Sequence, residues 1–317
     1  MLFICGSLNQ TTQMHQIADQ MPEVEAWYSP FFAGELWDAL RNHNLMERTI
    51  AGNRHRQRCL NYLRKHQLCV DDQGRQGGYN LVLNCTDVVV ASSLIGTPMV
   101  LVQEGILDPP NAWLPLVKRF PQLVPRWLCG TAATGLSRSY QKFCVASQGY
   151  ADYFTHLGVP RERLVVTGIP NFDNCVGYLD NDFPHHHYVL VCTSDARETF
   201  KRDDRAGLVR SALGIAAGRQ LIFKLHPNED IQRATAEITE LAPQALIYSD
   251  MSAEHLIANC DVYIGQYSST AFVALALNKE VHAYWRNEEL RHLMEQETPW
   301  EYLTVPNALS LTQLVSP

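Results

Sequence analysis

Asp261-Val262-Tyr263-Ile264-Gly265-Gln266-Tyr267-Ser268-Ser269-Thr270-Ala271-Phe272-Val273-Ala274-Leu275-Ala276-Leu277 reads as a buried strand stopped by a glycine, a loop rich in hydroxyls, and an apolar helix. That order makes one βα unit, and the same alternation runs outward in both directions. Upstream lie strands at 188–192, 221–225 and 245–248, with helices at 203–214, 229–241 and 253–259 between them. Downstream come a strand at 281–284 and helices at 287–296 and 309–315. An earlier series has apolar runs at 2–5, 24–28, 81–83, 88–90, 99–102, 143–146 and 164–167. Helical spacing appears at 10–21, 33–47, 53–69 and 150–157. Residues 171–187 hold Asn, Asp, Gly, Pro and three histidines without apolar periodicity.

Strands alternating with helices at this spacing imply parallel sheets covered on both faces. Right-handed crossovers then bring the carboxyl ends of the strands to one edge, where ligands bind. The expected fold is α/β, with two Rossmann-like domains facing across a cleft. Residues 1–175 would form an acceptor-side domain, 176–187 a linker, and 188–317 a nucleotide-donor domain whose last helix is a candidate to pack back on the first.

Composition bounds the function. The chain has 317 residues, 46% hydrophobic and 19% charged, which is enough apolar content for a large core and excludes disorder over most of its length. A net charge of -7 argues against nucleic acid as a partner, since duplex binding needs a basic face. Nine scattered cysteines with no Cys-x-x-Cys pair fit a reducing compartment. Met1–Cys5 lacks a basic flank and soon meets Gly6, so no signal peptide is expected. No apolar run approaches the ~18 residues of a membrane span. The expected location is the cytoplasm, with peripheral contact at the inner membrane left open. Arg54, Arg56, Arg58, Arg64 and Lys65 form either a solvated helix face or a contact for anionic head groups. No motif points to an oligomeric state.

Several residues carry chemistry. Ser268, Ser269 and Thr270 precede a helix whose free N–H groups and positive dipole end suit a phosphate, with simple capping as the other reading. Leu221–Leu225 delivers His226 to the sheet edge, where an imidazole can donate to a diphosphate or act as an acid, and Pro227 turns the chain away. Lys224 is either a phosphate partner or an edge residue. Ser194 and Arg197 follow a strand end and suit a nucleotide phosphate, or belong to a solvated loop. In the first half, Met99–Val102 runs into Gln103-Glu104-Gly105. A carboxylate there is a candidate general base, and the glycine permits close approach by substrate. Asp87 and Asp108 are weaker acid candidates. Gly6 and Ser7 follow the first strand and either face the cleft or make a tight turn. His185-His186-His187 reads as a solvated linker rather than a metal site. No Gly-x-Gly-x-x-Gly fingerprint follows a strand, so no dinucleotide cofactor is expected, and a helix N-terminus with His226 can take the phosphate charge, so no metal is expected.

These motifs together resemble the GT-B glycosyltransferases. His226-Pro227 and Ser268-Ser269-Thr270 are similar to pairs in bacterial sialyltransferases, Kdo transferases and the CDP-glycerol type polymerases. Gln103-Glu104-Gly105 resembles the acidic–acidic–Gly motif of the sialyltransferases, with glutamine at the first position. Val166–Asp173 and Val102–Ile106 resemble segments of the non-hydrolysing UDP-N-acetylglucosamine 2-epimerases, whose Gly-Gly and following Glu pair this chain replaces with Ser268–Ala274. The resemblance implies a metal-independent transferase that moves a sugar from a UDP- or CMP-linked donor to a glycan or lipid-linked acceptor in surface polysaccharide synthesis. It implies Glu104 as base, His226 on the leaving phosphate, and no further cofactor. An epimerase-like enzyme and a glycerophosphotransferase are the alternatives.

Overall fold

The computed structural model describes residues 1–47, 49–121, 123–137, 139–172, 175–198, 203–266, 268–283 and 293. The chain divides into two compact units that meet in sequence at Asp173 and Asn174. The helices expected at 287–296 and 309–315 lie outside the described residues, Leu293 apart.

The first unit is built on a six-stranded parallel sheet in the order β2-β1-β3-β4-β5-β6. Its strands are β1 (Leu2–Cys5), β2 (Trp27–Pro30), β3 (Val82–Asn84), β4 (Met99–Val102), β5 (Lys142–Val145) and β6 (Leu164–Val166). The central strands β1, β3 and β4 are buried along their whole length, as a sheet covered on both faces requires. Helices α1 (Leu8–Asp19), α2 (Glu35–Asn42), α3 (Asn53–Lys65), α4 (Leu114–Arg119) and α5 (Gln148–Leu157) accompany it. Ser7 and Ser147 cap α1 and α5 by accepting from the N–H groups of Gln10 and Tyr150. Phe3, Met14, Ile17, Tyr28, Leu63 and Val100 belong to one core cluster.

The second unit has a five-stranded parallel sheet, β11-β10-β7-β8-β9. Its strands are β7 (Val189–Cys192), β8 (Leu221–Lys224), β9 (Leu246–Tyr248), β10 (Val262–Gly265) and β11 (Glu280–His282). Helices α6 (Arg205–Ala216), α7 (Ile231–Leu241), α8 (Ala253–Asn259) and α9 (Thr270–Ala276) connect them. Asp204, Asp230 and Ser252 each cap the helix that follows. Strand order reverses between β7 and β10 here and between β1 and β3 in the first unit, so each sheet has one switch point, the place where open α/β sheets in general bind ligands.

Three expectations change. The run 88–90 is not a strand: β3 already pairs with β1 and β4, which leaves no place for another strand beside it. The chain turns away at Asp87, whose fully buried carboxylate accepts from the N–H groups of Gly135 at 2.6 Å and Ser137 at 2.9 Å. Residues 176–187, expected as a linker, pack into the second unit through Phe183, which is buried beside the rings of Tyr188 and Tyr248. The short helix α4 has no counterpart in the sequence reading.

Burial raises the Asp87 pKa above 3.8, with the two N–H groups opposing. The native state therefore keeps this proton to a higher pH than the unfolded chain does. Asp87→Ala is expected to cost about 1–3 kcal/mol by orphaning the Gly135 N–H. In urea titrations at several pH values, wild-type stability should fall relative to the variant as pH rises through the native pKa.

Candidate functional site

In the first unit the carboxyl edge of the sheet gathers around Glu104. Its Oε1 accepts from Ser7 Oγ at 3.0 Å and Asn9 Nδ2 at 3.2 Å, and its Oε2 from Gln10 Nε2 at 2.6 Å. The donors all come from the first turn of α1, which β1 delivers to the same edge. Asn171, after β6, reaches back to this turn: its Nδ2 donates to Asn9 O and Oδ1, both at 2.8 Å, and its Oδ1 accepts from Thr12 Oγ1. Gly6 has a steric reason, since a Cβ there would lie 2.0 Å from Gln10 Oε1. The half-buried Glu104 is thus an oriented carboxylate at the rim of its sheet.

Gln103 was expected on the acceptor side, and the structure places it in the interior instead. Its Oε1 accepts from Ala146 N at 2.9 Å and its Nε2 donates to Gly105 O at 3.0 Å, so it ties the ends of β4 and β5 together. Gly105 is buried with it. Asp108 accepts from the backbone and hydroxyl of Thr131, at 3.2 and 3.0 Å, and closes a loop.

In the second unit the site lies where β7 has β8 on one side and β10 on the other. After β7, Thr193 Oγ1 donates to Glu229 Oε2 and accepts from the His226 N–H at 3.0 Å. Glu229 Oε2 also accepts that N–H at 2.9 Å, while its Oε1 takes the Arg205 guanidinium. Both partners of that pair are buried. Pro227 shapes the turn that makes this possible, closed by Glu229 N on His226 O at 3.0 Å. The Asn228 N–H donates to His226 Nδ1 at 3.2 Å, which assigns the imidazole proton to Nε2. Burial pulls the His226 pKa below 6.5, against the opposing charges of Asp195 and Glu229. The ring is therefore a neutral N–H donor at pH 7.

On the β10 side, Ser194 Oγ donates to Gln266 Oε1 at 2.5 Å. Ser268 Oγ and Tyr263 OH each lie 2.8 Å from Thr270 Oγ1. Gly265 lets Tyr263 fold back in this way, since a Cβ would meet its hydroxyl at 2.2 Å. Ser269 starts α9 without a capping hydrogen bond from its side chain. Ser194, His226 and Ser268 thus share one edge.

Two expected phosphate ligands are engaged elsewhere. The buried Lys224 ammonium donates to Leu225 O at 2.6 Å and Ser249 O at 2.9 Å, capping carbonyls beyond β8 and β9, and burial lowers its pKa. Arg197 pairs with Asp203 at 3.1 Å and Glu237 at 2.5 Å. Among the three adjacent histidines, His187 turns through a positive φ of 57° to pair with Asp261, while His185 lies against Phe183. Asn9, Gln10, Thr193, Arg205, Glu229 and Gln266 are not singled out by the sequence, and Asn171 appears there only within the Val166–Asp173 segment. Thr193 and Gln266 directly follow strands, Asn171 and Glu229 lie in the turns beyond them, and Asn9, Gln10 and Arg205 begin helices.

No protein-family model and no curated protein sequence matches the chain. The structure is similar to UDP-GlcNAc 2-epimerase from Neisseria meningitidis bound to UDP-GlcNAc, with a TM-score of 0.55 and 11% identity over 99% of this chain and 98% of that one. It is also similar to HepE from Anabaena in complex with UDP, with a TM-score of 0.53 and 15% identity over 98% and 94%. Both are GT-B proteins, and this chain has the GT-B fold of two Rossmann-like α/β domains.

Two outcomes test this geometry. Gly6→Ala should displace Gln10 from Glu104 and cost about 1 kcal/mol. In a double-mutant cycle it should add almost nothing to Gln10→Ala, because both remove the same bond. For His226, the unfolded imidazole binds its proton at 6.5 and the folded one only at lower pH. Wild-type melting temperature should therefore fall relative to His226→Asn as pH drops from above 6.5 to below the native pKa.

Proposed function

We propose that the protein is a glycosyltransferase that moves a sugar from a nucleoside diphosphate or monophosphate donor to a hydroxyl of a glycan or lipid-linked acceptor. The observation that carries this reading is the His226 ring, held by the Asn228 N–H as a neutral Nε2–H donor at the sheet edge it shares with the Ser194, Ser268 and Thr270 hydroxyls. Such an edge suits the phosphate of a donor, whose leaving group gains charge as the glycosidic bond breaks. A preorganised donor aimed at that charge lowers the barrier. Ser269 supplies a further hydroxyl. Glu104, oriented by Ser7, Asn9 and Gln10, takes the proton of the acceptor hydroxyl as it attacks the anomeric carbon. Both lines of support come from the residues, and the fold is consistent with them.

A thermal-shift series with UDP, CMP, CDP-glycerol and UDP-N-acetylglucosamine tests the donor, because a ligand selective for the native state raises the melting temperature. UDP or CMP should shift it, and His226→Ala should weaken the shift. Glu104→Gln should keep the shift while lowering transfer by about 10²–10⁴-fold. A shift by CDP-glycerol alone would reassign the enzyme as a glycerophosphotransferase. Interconversion of UDP-N-acetylglucosamine with no acceptor present would make it an epimerase.

A further inference from the structure

Between Asp108 and Asp152 the sequence has no acidic residue, in a chain whose net charge is -7. The first part of that stretch leaves β4 and returns as a closed loop. Its two ends are tied: Asp108 N donates to Thr131 Oγ1 at 2.7 Å, and Asn111 Nδ2 donates to Leu128 O at 2.9 Å. Leu114 and Val117 of α4 anchor the loop in the interior. Five of the outward residues are large and apolar. Trp113, Leu116, Phe120, Leu123 and Trp127 keep between 43% and 81% of their surface in solvent. Lys118 and Arg119 stand exposed among them, with the Arg119 guanidinium 5.6 Å from the Phe120 ring centre. Pro110, Leu114, Pro115, Lys118 and Arg119 also line a surface hollow.

Isolated apolar side chains on a surface are ordinary, whereas two tryptophans, a phenylalanine and two leucines exposed within one fifteen-residue stretch of a closed loop are the kind of set that marks an interaction site. Tryptophan and phenylalanine with lysine and arginine is the composition that settles at a bilayer interface, where rings lie at head-group depth and cations meet lipid phosphate. We propose that this loop docks the first unit on an anionic lipid surface. Charge complementarity selects that occupant. The same face of a second copy, meeting across a two-fold axis, would bring further cations and no carboxylate from the stretch between Asp108 and Asp152. The anionic bilayer supplies the opposite charge and takes up the apolar tips. Among the described residues no helix is long and apolar enough to cross a membrane, and this surface needs none. The basic face of α3 is the competing location, and none of the large apolar side chains exposed among the described residues lies on it. The inference does not depend on which reaction the enzyme performs.

Co-sedimentation of the full chain with phosphatidylglycerol/phosphatidylcholine vesicles tests it without any nucleotide. Most of the protein should pellet with the mixed vesicles and stay in solution with phosphatidylcholine alone, and salt should weaken the binding. Leu116→Glu/Leu123→Glu should lower the bound fraction at least tenfold with an unchanged melting temperature, since both side chains are exposed. Lys118→Glu/Arg119→Glu should abolish the preference for phosphatidylglycerol, whereas Arg64→Glu/Lys65→Glu on α3 should leave it intact. The proposal fails if wild-type protein stays in solution with the mixed vesicles. It fails too if the leucine double variant binds like wild type, or if only the α3 variant loses binding. A dimer that the leucine substitutions dissociate, with no vesicle uptake, would assign the surface to self-association instead.

Discussion

The Glu229 carboxylate, withdrawn from solvent between the Arg205 guanidinium and the Thr193 hydroxyl, sets the geometry of the carboxyl edge of the second unit's sheet. A buried carboxylate persists as an ion only if it is matched by charge and by hydrogen bonds, and removing one partner costs about 3–5 kcal/mol, mostly from the charge left behind. Here the match is made by groups from α6, from the end of β7 and from the backbone of His226. Three segments distant in sequence are thereby held together at the place where strand order reverses. The imidazole can present its Nε2–H at a fixed position because the backbone beneath it is not free to move.

The first unit solves a similar problem differently. Glu104 sits at the rim, half in solvent, and neutral donors from Ser7, Asn9 and Gln10 orient it rather than a cation. Glu104 is held by neutral groups at an edge that solvent reaches, while Glu229 is locked against Arg205 in the interior. Two acids beyond strand ends therefore have different surroundings, one at a rim among neutral donors and one buried against a guanidinium. The same contrast separates the two lysine and arginine candidates from the hydroxyls. Lys224 and Arg197 already have carbonyl or carboxylate partners, whereas the hydroxyls of Ser194, Ser268 and Thr270 are bonded largely to one another and to neutral groups.

How far the sequence could be read follows from which signals are local. The strands at 2–5, 99–102, 189–192 and 262–265 were legible as short apolar runs closed by glycine or polar residues. The run at 88–90 has the same look and is not a strand, because a sheet position exists only if a neighbour is free to pair with it. Leu114–Arg119 leaves no sequence signal because fewer than two turns of helix among prolines carry too little periodicity. Gln103 was misplaced because nothing local shows that its carboxamide would be needed to join β4 to β5.

The sequence by itself determined the alternation of strand and helix, the parallel sense of both sheets that this alternation demands, and the arrival of Glu104, His226 and Ser268 at strand ends. These depend on periodicity and turn chemistry within a few residues, which a linear string records. Tertiary structure alone decided the partners. Gln10 and Ser7 reach Glu104 from 94 and 97 residues away, and Arg205 meets Glu229 across 24. Such pairings depend on the order in which strands lie side by side, and that order is set by packing the whole sheet rather than by any segment of it.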